Sequence, residues 1–193
     1  MDLTQGTKEE KNERSKKMML WFSLISLFMA FAGLTSAVII SRKRPDWSSE
    51  LQMPTIFLVS VIVAILSSVT FILAKQALKK DNRSLTTTLL IVTLFLGVLF
   101  VFLQFEGFNN LIASGYNFTG EISNPKASFI FLIAFFHVLH VVAGLICIIV
   151  VIYNHFKQKY SATKLLGLEL AATFWHFVGI LWVFLYLLLS FVG

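Results

Sequence analysis

The sequence predicts an integral membrane protein, all α-helical, folded as a bundle of five transmembrane helices. Two observations carry that prediction. Across 193 residues, 57% of the side chains are hydrophobic and 13% are charged, with a mean hydropathy of +0.81, well outside the range of soluble domains. The apolar residues gather in five runs, each about 20 residues or longer, the length a helix needs to cross a hydrocarbon core about 30 Å thick. Hydrocarbon satisfies no backbone donor or acceptor, so each run must be a helix, and continuous apolarity excludes the alternating pattern of barrel strands.

Residues 1–17, MDLTQGTKEEKNERSKK, show no apolar periodicity and read as a flexible charged aqueous tail. The membrane domain follows over 18–193, with spans at Met18 to Ser41, Pro54 to Ala74, Leu85 to Phe105, Ala127 to Tyr153 and Leu165 to Val192. The first run is expected to stay in the mature chain, because the charged segment before it is long and mixed in sign. Between the third and fourth runs, Gly107, Asn109, Asn110, Gly115, Gly120, Asn124 and Pro125 mark turns and a re-entry into the bilayer. Asn117-Phe118-Thr119 in that loop fits the glycosylation pattern, a three-residue match that is common by chance. Paired small residues, at Ala32-Gly33, Ser36-Ala37, Ala143-Gly144 and Ala171-Ala172, read as places where helices approach closely.

Charge fixes the expected orientation. The tail, the second loop and the fourth loop hold twelve Lys and Arg residues, against four (Arg42, Lys43, Arg44 and Lys126) on the other side. The twelve-residue side is therefore expected to be cytoplasmic, with the N-terminus inside and the C-terminus outside. The net charge of +6 comes from these loop clusters, which excludes a nucleic-acid surface as its explanation. Cys147 is the single cysteine, so no internal disulfide forms.

Candidate functional residues lie in the last two runs. His137 and His140, three apart, share a helical face at mid-depth; Glu169 and His176, seven apart, share another. At about 1.5 Å per residue the three imidazoles fall near one layer. Trp175 and Trp182 are also seven apart. Polar groups at such depth need partners. Imidazoles from two helices can ligate a haem or a metal, but the chain lacks a second deep carboxylate and a Cys-x-x-Cys-His attachment. The alternative is an interhelical polar network of His137, His140, Glu169 and His176 that fixes helix register. Glu169, about one turn inside the cytoplasmic end, reads as a boundary residue or as a proton-collecting carboxylate.

Phe136-His137-Val138-Leu139-His140-Val141 with Gly144, then Gly167-Leu168-Glu169 with Ala171-Ala172, then Trp175-His176-Phe177-Val178 and Trp182-Val183-Phe184-Leu185-Tyr186, strongly resemble subunit III of the haem-copper cytochrome oxidases. Weaker echoes are Phe31-Ala32-Gly33-Leu34 with Arg42, and Leu103-Gln104 with Glu106. The resemblance is to the short five-helix form. It implies a non-catalytic subunit of a respiratory terminal oxidase, taking its electrons from cytochrome c or quinol. Such a subunit packs on subunits I and II, binds phospholipid, and supports assembly and proton uptake during oxygen reduction. By the same resemblance haem and copper reside in partner subunits, this chain holds no cofactor or metal of its own, and the setting is the bacterial inner (cytoplasmic) membrane, where a larger respiratory assembly can form. The family carries an Asp three residues after its motif histidine, where this chain has Gly179, and an acidic residue in the first shared helix, where it has Ser26-Leu27. Roles resting on those carboxylates do not transfer. The competing readings are a haem-binding redox anchor and, lower in rank, a small transporter, for which the broken helices of such folds are missing.

Overall fold

The computed structural model describes residues 7–47, 51, 53–116, 118, 124–160 and 165–191. Five helices account for most of them: α1 (Lys8–Ser41), α2 (Thr55–Lys79), α3 (Arg83–Ala113), α4 (Pro125–Phe156) and α5 (Leu166–Phe191). All five are long and apolar enough to cross a membrane. No strand occurs among the described residues. Asn117 and its glycosylation pattern lie outside them, as do Gly120, Lys164 and Val192.

Local chemistry sets the ends. The hydroxyl of Thr7 accepts from the Glu10 backbone N–H at 3.3 Å, while the Glu10 carboxylate accepts from the Thr7 N–H at 2.9 Å. This reciprocal cap, with Glu9 and Glu10 in the first turn, satisfies two orphan donors and favours the positive end of the helix dipole. Glu10–Arg14 and Glu13–Lys17 add acid-before-base pairs four apart. Residues 8–17 of the charged tail expected over 1–17 are consequently helical, residues 1–6 lie outside the described residues, and α1 reaches about 51 Å. Its first turns extend beyond any hydrocarbon core.

Asn82 caps α3 through Leu85 N–H at 3.2 Å, and Asn124 caps α4 through Lys126 N–H at 2.9 Å, with Pro125 in the first turn. Gly115, at φ 86°, supplies the left-handed residue just beyond α3. That helix therefore runs eight residues past Phe105, through Gly107, Asn109 and Asn110, which the sequence marks as a turn. Gly107 serves packing instead: a Cβ there would lie 2.6 Å from the Phe57 ring.

Helices α2, α3, α4 and α5 close a ring in which α2 touches α3 and α5, and α4 touches α3 and α5. Helix α1 leans from outside on α4 and α5. The core sits inside the ring, built from fully buried side chains such as Phe57, Phe71, Leu90, Ile133, Ile148 and Trp182. Much of the outer surface is large and apolar, including Phe22, Phe28, Phe95, Phe102 and Ile180, as a lipid-facing or subunit-facing bundle requires. Small residues divide accordingly. Gly97 and Gly144 sit against the Trp175 ring, whereas a Cβ on Gly33 would meet nothing within 4 Å. The expected close approach at Ala32-Gly33 is thus not made within this chain.

Candidate functional site

The polar interior is organised along the seam between α2 and α5. The two helices run antiparallel, so residues seven apart on one meet residues seven apart on the other. Ser60 Oγ accepts from Trp182 Nε1 at 2.9 Å, and Ser67 Oγ accepts from Trp175 Nε1 at 3.1 Å. Further along, Lys75 Nζ and Glu169 Oε1 form an ion pair at 2.9 Å. Three rungs of one register therefore lock α2 to α5.

One rung extends to α3, and a separate pair joins α2 to α3. Gln104 Nε2 donates to Ser60 Oγ at 2.9 Å, and Ser60 donates onward to Phe57 O at 2.7 Å. Thr70 and Thr93 share a hydroxyl contact of 2.8 Å between α2 and α3. Ser60, Thr93 and Gln104 are all 0% exposed, so each bond replaces one that neither lipid nor water can supply. Near the C-terminal end of α4, His155 meets Thr87 Oγ1 of α3 at 3.0 Å.

The four sequence-predicted residues occupy separate places. His137 is fully buried, stacks on Trp182 with ring centroids 4.8 Å apart, and has no hydrogen-bond partner on either ring nitrogen among the described residues. His140, one turn on, is partly buried edge-on to the Phe31 ring of α1 at 5.8 Å and bonds through Nδ1 to Phe136 O of its own helix at 2.7 Å. His176 is half-buried against the Phe71 ring at 6.0 Å. Glu169 pairs with Lys75, both side chains about one-third exposed at 36% and 32%. None of the four bonds directly to another; the Lys75–Glu169 pair is the interhelical polar contact that one of them makes. The physical reason is rotational: three residues on a helix leave a 60° offset, so His137 points into the ring at Trp182 while His140 turns toward Phe31 of α1. Nor do the imidazoles share one layer, since His137 meets α5 at Trp182, about 9 Å along the axis from His176. Among the described residues no group of three or more His, Cys, Asp or Glu is placed to hold a metal ion.

Sequence reasoning missed Ser60, Ser67, Thr70, Thr93, Gln104 and His155. A signal existed for the serines, whose spacing of seven mirrors that of the two tryptophans. Outside the spans, Arg44 holds Asp46 through Nε and a terminal guanidinium nitrogen, at 2.9 and 2.8 Å. That hydrogen bonding holds the Asp46 carboxyl below the ordinary range. It also neutralises part of the basic cluster that opposes the charge bias.

A closed helical ring whose buried serine, tryptophan and glutamine side chains join helix to helix defines an integral membrane protein of the bundle class. Residues 15–193 match the family described as cytochrome c oxidase subunit III, and the chain belongs to that family. Cytochrome c oxidase subunit 3 of Spodoptera frugiperda is 32% identical over 134 residues, covering 67% of this chain and 84% of the relative. The Artemia franciscana protein of the same name is 34% identical over 168 residues, covering 86% of this chain and 62% of the relative. A Staphylococcus haemolyticus protein named "Probable quinol oxidase subunit 3" is 24% identical over 185 residues, covering 92% of this chain and 89% of its own length. The chain thus spans less than two thirds of several insect and crustacean relatives, such as the 63% of the Drosophila melanogaster protein, and nearly all of the bacterial one.

Proposed function

We propose that this chain serves as the non-catalytic subunit III of a respiratory haem-copper terminal oxidase, assembled on subunits I and II in a bacterial cytoplasmic membrane with its N-terminus inside. The family match over residues 15–193 carries the reading, and the interior supports it: the polar groups of the α2–α5 seam are engaged in structure, leaving the large apolar exterior as the working surface. Phospholipid association is supported on α1, where Lys11 and Arg14 stand above Met18, Met19 and Phe22 around one hollow of about 310 Å³, a cationic rim over an apolar floor. Such a surface suits an anionic headgroup with its acyl chain below. Proton uptake at Glu169 is supported by its one-third-exposed position beside Lys75 near the start of α5.

Affinity purification of the tagged chain from its native membrane in mild detergent tests the assignment. Two haem- and copper-bearing partner chains are expected in stoichiometric yield. Purification of this chain alone, with a haem band of its own that vanishes in His176→Ala, refutes it in favour of a redox anchor. Single cysteines placed at Lys79 and Lys43 test orientation: a membrane-impermeant thiol reagent added to intact cells is expected to label the second and not the first.

A further inference from the structure

The face of α5 that turns away from the bundle is not wholly apolar. Helices α1, α2 and α4 take up its other sides. Thr173, His176, Ile180, Phe184 and Leu187 follow one another at spacings of three or four, which keeps them along one side of the helix. Ile180, Phe184 and Leu187 are 70%, 51% and 46% exposed, and Thr173 is exposed beside them.

His176 stands about 15 Å along α5 from its start at Leu166, within the hydrocarbon depth. Its ring meets Phe71 at 6.0 Å, but it makes no hydrogen bond among the described residues, and neither ring nitrogen is enclosed by the chain. Thr173 spends its hydroxyl proton on Glu169 O at 2.9 Å, which leaves its oxygen as an acceptor on the same side. An imidazole needs one donor and one acceptor, and acyl chains supply neither at that depth. The line Phe95, Val98, Phe102 and Phe105 on α3 is as exposed and carries no polar side chain, so lipid alone satisfies it.

We propose that this face of α5 docks one transmembrane helix of a partner oxidase subunit, a helix that brings a hydrogen-bonding side chain to the level of His176 and apolar side chains to Ile180, Phe184 and Leu187. The inference rests on the subunit III reading above. Polar complementarity at mid-depth selects a protein helix over lipid, because a polar side chain in a bilayer is satisfied by a second helix.

Photocrosslinking in native membranes tests this, with benzoylphenylalanine placed at Ile180 or at Phe102 of the tagged chain. Ile180 is expected to give a covalent adduct with one partner oxidase chain, and Phe102 lipid adducts. Lipid adducts alone at Ile180, adducts with a second copy of this chain, or equal protein adducts at both positions overturn the inference. Co-purification of haem-bearing partners without crosslinking reads the subunit assignment separately: partners present with only lipid at Ile180 strikes the docking face alone, whereas absent partners strike the assignment and the face with it. His176→Leu is expected to lower partner yield about threefold under a rising detergent challenge, the worth of one interhelical hydrogen bond, while the melting temperature of the separately purified full chain holds or rises. His176→Gln is expected to restore part of the yield. Unchanged partner yield in His176→Leu overturns the inference, as does a lowered melting temperature, the mark of an internal structural role.

Discussion

Ser60→Ala removes a single oxygen at the point where three helices meet. The hydroxyl accepts from Trp182 Nε1 and from Gln104 Nε2, each at 2.9 Å. Both donors belong to side chains that are 0% exposed, so neither finds a substitute in water. Leaving a buried donor unmet costs about 1–3 kcal/mol, which puts two donors at about 2–6 kcal/mol. Measured interhelical bonds in bilayers average about 0.6 kcal/mol, because separated helices find other partners, which puts two at about 1.2 kcal/mol. Complete enclosure of both donors argues for the region between these brackets, and we expect a loss of about 2–3 kcal/mol. That corresponds to a roughly 30- to 150-fold shift in the unfolding equilibrium. Reversible unfolding of the full chain in bicelles, followed by trapping of the unfolded form, measures it. Adding Gln104→Leu to Ser60→Ala removes one stranded donor and is expected to recover part of the loss, giving a non-additive double-mutant cycle. A Ser60→Ala chain within about 0.5 kcal/mol of wild type refutes the idea that this hydroxyl joins three helices.

The glycines give a paired test in the same assay. A Cβ at Gly97 would lie 2.6 Å from Leu145 Cδ2 and 2.7 Å from Trp175 Cη2, whereas one at Gly33 meets nothing within 4 Å. Gly97→Ala is therefore expected to cost about 1–3 kcal/mol through overpacking, and Gly33→Ala to be neutral or stabilising in the isolated chain. Loss of stability in Gly33→Ala would contradict the outward placement of that face of α1. For the Lys75–Glu169 pair, one-third exposure of both side chains limits the expected effect of either alanine replacement to under about 1 kcal/mol, declining with added salt. Exchanging the two residues is expected to restore whatever the single changes lose, and a failed exchange shows that the pair does not set the register at that end of the α2–α5 seam.

Where the sequence read well, it read chemistry that depends on composition over long windows. Five helices follow from run length alone, since a bilayer leaves the backbone no other way to satisfy itself. Their ends were less legible, because ends depend on single residues. Thr7 and Glu10 spell a capping box that turns ten residues, eight of them charged, into helix, yet charge density over the same window reads as disorder. Gly107 has the composition of a turn and the position of a contact; only the Phe57 ring beside it decides between them.

The deep polar residues divide in the same way. That His137, Glu169, Trp175 and Trp182 need partners follows from the sequence, because each carries a polar group in an apolar run. Which partners they take was decided by the antiparallel register of α2 against α5, which brings Ser60, Ser67 and Lys75 to Trp182, Trp175 and Glu169. Apart from the spacing of Ser60 and Ser67, serines and threonines carry little warning in a hydrophobic run, since each can bond its own helix backbone, as Ser60 and Ser67 do with Phe57 and Ala64. The amino-acid order alone determined a five-helix membrane protein, and its ordered motif in the last two helices pointed to the family. Tertiary structure alone decided that the histidines stand apart and that the seam belongs to α2 and α5, because helix rotation and neighbour choice are set by packing around the whole ring.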